Sequence, residues 1–433
     1  MWVLNVIYFL IITYFGFKYL LSDGGIVRSP FNKEERLKLN GPEMFWCLTF
    51  ATGLLAFSAN VGLDLMAIRL GVLELLCIIG LSVVKDKPIW TAPLCLYIVY
   101  LLWLLIGCTY GPSWGYGIRV ILKYLYPLLI CLFASAAVRH IEVWLKSALL
   151  ARLVALICVI AYFVPFIWQL VPGVFWYVTA GCINFISIMI LSLALFYFTD
   201  NKRTNLIYSI LFILPCFLMV FRTSIMGSLV AIMAFYFIKY RVKSLPIIAG
   251  ILIAGVIAVF TIPSLRQKMF MAQEQDNVSI EKFQEGKVSM DQVNTNARAA
   301  MWEHLESIFY EGHEMYGSGT GCVQNYMYTH RIFGGLKVPH SDLVQMKCDN
   351  GIIGVSLYAL IAIFIFLHCF SIYWSTHDRS LKLASIVAGA SIVGVIVTLY
   401  SDNVVNYSMA TLSMPFGFYG MALGINKAQQ YKV

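Results

Sequence analysis

Apolar stretches of about 20 residues recur along almost the whole chain, and they restrict its fold more severely than any other feature. A helix rises about 1.5 Å per residue and the hydrocarbon core of a bilayer is about 30 Å thick, so one such stretch makes one crossing. Lipid offers the backbone no hydrogen-bond partners, and a helix satisfies its N–H and C=O groups within itself. Hydrophobic residues fill 60% of the 433 positions and charged ones 12%, well outside globular usage. The expected fold is an all-α integral membrane protein with about 12–13 transmembrane helices.

The expected spans are 2–21, 43–60, 62–84, 89–107, 117–138, 145–167, 183–199, 205–221, 222–238, 245–262, 350–373, 382–400 and 408–425. The first has no basic segment before it and no small-residue cleavage site after it, so it reads as a retained span and not a secretion signal. Basic loops (Arg28 to Lys38, Lys85 to Lys87, Arg139 to Lys146, Lys202 and Arg203, Lys239 to Lys243, Asp378 to Lys382) alternate with loops that carry no basic residue, such as Cys108 to Gly117, Trp168 to Cys182 and Ser401 to Ser408. Cytoplasmic loops carry the Lys and Arg excess. The alternation therefore predicts three parts: N-terminal transmembrane helices over 1–262, a large extracytoplasmic loop over 263–349, and C-terminal helices with a short cytoplasmic tail over 350–433. The excess of 31 Lys and Arg over 22 Asp and Glu is explained by orientation, and no nucleic-acid partner is expected. Most of the eleven cysteines sit singly in apolar runs with no CxxC spacing and read as small hydrophobes.

The large loop is where polar chemistry concentrates. Its first part, Met271 to Asn296, is polar. From Asn296 to Glu311, Met301, Leu305, Ile308 and Phe309 fall at helical spacing with Trp302 beside them, which predicts an amphipathic helix that lies on the membrane or covers a site. Gly317-Ser-Gly319-Thr-Gly321 and an aromatic run through Tyr326 and Tyr328 come next, then Pro339-His340-Ser341-Asp342.

A charge near the hydrocarbon costs at least about 2.5–3.5 kcal/mol, so each one asks for a reason. Arg69, Arg119, Lys123, Arg222 and Arg266 all fall near outward ends of expected spans, and Arg298, Arg331, Lys337 and His340 are in the outward loop. Snorkelling to the head groups explains any one of them. Together they suit an anionic ligand held in the bilayer, because guanidinium groups grip phosphate oxygens in pairs. A polyprenyl diphosphate fits; so do a sulfate, a nucleotide sugar or an anionic head group. His304, His313, His330 and His340 show no paired-ligand spacing, so no metal is expected. Nucleotide-binding fingerprints and a nucleophile elbow are absent from the sequence, which argues against nucleotide hydrolysis.

Arg222-Thr-Ser-Ile-Met-Gly opening a span, Arg298-Ala-Ala-Met-Trp302 in the loop, Gly317-Ser-Gly319-Thr-Gly321, and Pro339-His340-Ser-Asp-Leu-Val-Gln-Met-Lys-Cys-Asp-Asn-Gly351-Ile-Ile-Gly354 before the next span together resemble the O-antigen polymerase and ligase superfamily, over roughly Leu206 to Leu367. His340-Ser341 departs from the His-Asn that many members carry, and the span entry near Asn184 lacks the Pro-Asn that relatives often have. The resemblance implies a metal-independent glycosyltransferase of the bacterial inner (plasma) membrane that moves a glycan from undecaprenyl diphosphate to a sugar hydroxyl on the periplasmic side. Arg222 and Arg298 would hold the diphosphate, with Arg119, Arg266 and Arg69 as further substrate-binding candidates, and His340 would sit beside the acceptor hydroxyl. Asp342 is a second choice of base. No cofactor is implied. The expected partners are lipid-linked glycan donor and acceptor and membrane lipids, with a flippase and a chain-length regulator as candidate protein partners. A polymerase of O-antigen or capsule repeat units is the leading reading, a ligase handing polymer to lipid A core the next, and a lipid-linked sugar transporter the third.

Overall fold

The computed structural model describes residues 14, 25–28, 36–39, 65–163, 182–218, 220–270, 298–330 and 336–430. The expected spans 2–21 (Tyr14 apart) and 43–60, the polar stretch 271–296 and Arg331 lie outside the described residues. A short antiparallel hairpin pairs β1 (Gly25–Arg28) with β2 (Arg36–Leu39), Gly25 opposite Leu39 and Arg28 opposite Arg36, in a segment read from the sequence as a plain basic loop. All other regular structure described is helical.

The helical bundle begins with α1 (Leu65–Val83), α2 (Ala92–Tyr110), α3 (Trp114–Ala137), α4 (Ile141–Phe163), α5 (Ile183–Phe198), α6 (Lys202–Leu218), α7 (Arg222–Tyr240) and α8 (Leu245–Thr261). The short α9 (Pro263–Met269), α10 (Arg298–Phe309) and α11 (Cys322–His330) belong to the loop, and α12 (Asp342–Ser375), α13 (Arg379–Val397), α14 (Ser408–Thr411) and α15 (Ser413–Gln430) close the chain. Five described helical stretches are long and apolar enough to cross a membrane: α2, α3, α7 with α8, α12 and α13 with its last turn. Leu70–Val83 and Ile183–Phe198 are shorter apolar helices. Every expected span from 62 onward coincides with a helix. The continuous run Arg222–Thr261 has 40 residues, twice what one crossing needs; Arg241, at φ 52°, turns the chain back so that α7 and α8 lie side by side.

Burial places α5, α13 and α15 at the centre, since most residues of each are enclosed, whereas α8 buries none. Helix association in lipid relies on close backbone approach at small residues. Gly227 of α7 and Gly394 of α13 face one another so tightly that a Cβ on Gly227 would stand 2.7 Å from the Gly394 carbonyl oxygen. At one end of the bundle Trp374 Nε1 donates to the Ile238 carbonyl at 2.8 Å, Arg241 lies 3.8 Å over the Trp374 ring, and Arg139 pairs with Asp86 at 3.3 Å. The large loop is at the opposite end.

The loop folds onto that end as a second small core. Met301 and Leu305 of α10 pack with Cys322, Val323 and Met327 of α11 and with Val344 and Cys348 of α12, and Lys347 pairs with Glu306 at 2.5 Å. The apolar periodicity of α10 thus faces protein, except that Ile308, expected on that face, is exposed.

Asp349 fastens the glycine segment: its carboxylate accepts from the backbone N–H of Gly321 and Val323 at 3.1 and 3.0 Å and from Cys322 Sγ at 3.1 Å. A carboxylate at the first turn of α11 also suits the helix dipole. Thr320 donates its N–H to the Gly107 carbonyl of α2. Helix α12 breaks at Gly351, φ 63° and ψ −169°, where the N–H groups of Ile352 and Ile353 turn to the carbonyls of Glu314 and Met315. Gly319 packs its Cα side directly on Gly111 at φ 102°, leaving no space for a side chain.

Gly319→Ala combines a strained φ with displaced backbone and should lower stability by about 3 kcal/mol, whereas Gly312→Ala, at φ 82° with open space around it, should cost about 1–2 kcal/mol. Thermal unfolding in detergent checks this; equal losses would refute the packing role of Gly319.

Candidate functional site

Three residues far apart in sequence begin elements at the loop-bearing end. Arg222 is the first residue of α7, and Arg298 the first of α10. His340 stands two residues before α12, whose N-cap is Ser341, with Oγ accepting from the Val344 N–H at 3.1 Å. His340 itself has φ 53°, a left-handed conformation uncommon for a residue with a side chain and found preferentially where surrounding structure enforces it.

The enforcing element is the short segment between α13 and α14. Ser341 Oγ donates to the Tyr400 carbonyl at 2.7 Å, Asp342 N–H donates to the Asp402 carbonyl at 3.2 Å, and Val405 N–H donates to Asp342 Oδ2 at 2.7 Å. From the other side Trp302 Nε1 donates to the Pro339 carbonyl at 2.7 Å, with its ring 6.1 Å from that of Tyr400. The same segment collects the other two residues. Arg298 Nη1 donates to the Ser401 carbonyl at 3.1 Å, and Thr223, next to Arg222, shares a 2.8 Å hydroxyl contact with Ser401. Asn403 brings its side-chain amide to His340 Nδ1 at 2.9 Å.

The electrostatics match this convergence. The guanidinium charges of Arg222 and Arg298 act on one another. Burial, with the Arg298 charge added, pulls His340 down to about 4, so the imidazole is neutral at physiological pH. Burial raises the Asp402 carboxyl, opposed by the Asn403 N–H and by Arg298. Arg222, Arg298 and His340 are each half-buried, so they are held by protein yet open to a ligand. The arrangement offers two paired anion-gripping groups and one neutral imidazole on a common floor.

The remaining predicted residues fall elsewhere. Arg119, in the second turn of α3, lies 5.5 Å over the Tyr116 ring, which is 5.5 Å from the Tyr328 ring, and Lys337 is 5.5 Å over Tyr328. These form a separate cation-and-tyrosine row. Arg266 sits half-buried on α9. Arg69 belongs to α1, and its side chain lies outside the described residues. Lys123 bonds Asn406 Oδ1 beneath the site. Asp342 is fully enclosed and committed to the Val405 N–H, which removes it as an alternative base. His304 contacts the Tyr326 hydroxyl at 3.0 Å, and His330 stacks on the same ring at 4.4 Å, so neither joins His340. The residues beside His340 that sequence reasoning missed are Asp402 and Asn403; their signal was a polar Ser-Asp-Asn triplet in a short connection between two apolar helices.

No curated protein matches the chain. Residues 207–359 match the family model described as O-antigen ligase, a segment that contains Arg222, Arg298 and His340 and ends before Asp402 and Asn403. That segment, about a third of the chain, is thus similar to the O-antigen ligase family.

Proposed function

We propose that the protein is a polymerase that joins undecaprenyl-diphosphate-linked oligosaccharide repeat units into an O-antigen or capsular polysaccharide at the outer face of the bacterial plasma membrane. Similarity to the O-antigen ligase family supports a ligase- or polymerase-type glycosyl transfer in general. The observation that supports glycosyl transfer from a lipid diphosphate is the meeting of Arg298, His340 and Thr223, the neighbour of Arg222, on the Ser401–Asn403 segment, an arrangement that serves a polymerase and a ligase alike.

On this reading the donor diphosphate sits between the two guanidinium groups, which present paired N–H donors to its oxygens. The acceptor hydroxyl attacks the anomeric carbon. A new C–O bond forms, the anomeric carbon–oxygen bond to diphosphate breaks, and the hydroxyl proton passes to His340. Charge grows on the leaving diphosphate as the bond breaks, and fixed guanidinium groups at that position stabilise the transition state more than the ground state. A bound diphosphate also favours the imidazolium, so the ring becomes a stronger base once the donor is in place. The ligase reading is favoured by the description of the matching family model itself. Deleting the gene separates the two: a single repeat unit on lipid A core indicates a polymerase, and polymer accumulating on the carrier lipid indicates a ligase.

With reconstituted enzyme and lipid-linked repeat units, Arg222→Lys should lose about 10- to 100-fold in kcat/KM, because a point charge replaces a two-pronged donor. Full activity would return Arg222 to a snorkelling role. His340→Ala should lose about 10²–10⁴-fold while His330→Ala keeps near wild-type turnover; the reverse order would remove His340 from the reaction.

The pH profile is a further check. The working form of His340 is neutral, so kcat/KM should stay level from about pH 8 down to about 5 and fall only as pH approaches the value near 4 of the free enzyme. In kcat the same limb should lie at higher pH, since bound diphosphate raises the imidazole. A kcat/KM limb centred near 6.5 would show an imidazole unperturbed by burial and Arg298.

A further inference from the structure

A base that takes a proton at one imidazole nitrogen must carry its own proton on the other. Among the described residues, Asn403 is the one whose side chain meets His340 Nδ1, at 2.9 Å. Asn403 is 1% exposed, so solvent does not compete for that nitrogen from its side. Its backbone is equally fixed: Asn403 N–H donates to Asp402 Oδ1 at 2.8 Å, the Asp402 carbonyl accepts from Asp342 N–H, and Val405 N–H is held by Asp342.

The two ends of an amide have nearly the same shape, and which one faces the ring is decided by what the ring must do. With Nδ2 toward the ring, Nδ1 accepts and the proton sits on Nε2. The imidazole is then a donor toward an incoming hydroxyl, and Asn403 Oδ1 is left buried without a partner. With Oδ1 toward the ring, Nδ1–H donates to it and Nε2 keeps its lone pair for the acceptor hydroxyl.

We propose that Asn403 is a positioning residue that presents its side-chain oxygen to His340 Nδ1–H and so fixes the tautomer in which Nε2 is the base. The inference rests on the reading of His340 as the base given above. It assigns to the connection between α13 and α14, beyond the segment matched by the family model, a direct part in setting up the reaction. The charged groups around the ring are Arg298 on α10, which adds to the effect of burial in lowering its pKa, with Arg222 on α7 and Asp402 on the Asn403 segment both interacting with Arg298.

The test compares Asn403→Asp, Asn403→Leu and His340→Ala in reconstituted enzyme with lipid-linked repeat units, following kcat and KM against pH and thermal stability in detergent. Asp presents only acceptors to Nδ1–H, so Asn403→Asp should keep kcat within about 10-fold at pH 7–8. Its carboxylate favours the imidazolium, so the acid limb of kcat/KM should move up by about one pH unit or more. Asn403→Leu, which leaves the tautomer free, should lose about 10²–10⁴-fold in kcat with KM changed only a few-fold; the wrong tautomer costs up to about 10⁴-fold in a hydrolase triad. An acid limb unmoved in Asn403→Asp, with kcat lost as in Asn403→Leu, would overturn the proposal. Should Asn403→Leu fail to accumulate, the displacement of that limb decides alone. Near wild-type turnover by His340→Ala would instead overturn the base reading itself.

Discussion

The clasp between Ser341–Asp342 and Tyr400–Val405 is the contact on which the loop-bearing end of the protein depends. Three hydrogen bonds, Ser341 Oγ to the Tyr400 carbonyl, Asp342 N–H to the Asp402 carbonyl and Val405 N–H to Asp342 Oδ2, run in both directions between two chain segments some sixty residues apart. Each satisfies a polar group at a helix end that would otherwise be buried without a partner, at a cost of about 1–3 kcal/mol apiece. Because the bonds are reciprocal, the start of α12 and the end of α13 cannot shift separately. His340 is held in its left-handed conformation from both sides, by the bonds of Ser341 and Asp342 after it and by Trp302 on Pro339 before it.

A second clasp sets the distance of the loop from the bundle. Asp349 and the glycine segment join α11 to the break in α12, and Thr320 joins both to α2. The sequence Gly317-Ser-Gly319-Thr-Gly321 has the look of a ligand cradle, yet its N–H groups are consumed by His313, Cys348, Asp349 and Gly107. Its glycines allow backbone to lie on backbone. The motif works on the site indirectly, by fixing how α10, and with it Arg298, stands over the helix ends.

Those two clasps explain which parts were legible in the sequence. The long helices were, because burial in lipid imposes length and apolarity on each segment by itself, and those from 65 onward start and end within about five residues of the expected spans, except that α12 begins eight residues earlier, at Asp342. The face of α10 was legible at Met301 and Leu305 from spacing alone, but Ile308 obeys the same spacing and is exposed; periodicity fixes a direction on the helix and not the extent of the surface that covers it. Charge near lipid drew attention to a wider set of cations, and the family resemblance singled out Arg222, Arg298 and His340 among them. Asn403 was not singled out, because a neutral amide in a short connection carries no such signal and its bond to His340 spans 63 positions. Arg119 shows the opposite failure: it was grouped with the other arginines by its place near a span end, but its neighbours are tyrosines and it stands apart from the other two.

The pairing of Arg222 with Arg298 gives the site its character. Two guanidinium charges acting on one another in a half-buried place repel more strongly than they would in water, since the effective dielectric falls. Asp402 acts on Arg298, but burial raises its carboxyl and so reduces the negative charge it brings there. Arg298 is tethered to the Ser401 carbonyl, which orients the group. Positive charge is thus fixed in place by the fold before any ligand arrives. An anion entering between the two arginines relieves the repulsion, and one whose charge increases during reaction relieves it further. On the proposed reading the donor diphosphate is that anion. The neutral imidazole beside it then gains basicity from the same charge at the moment when the hydroxyl proton has to leave.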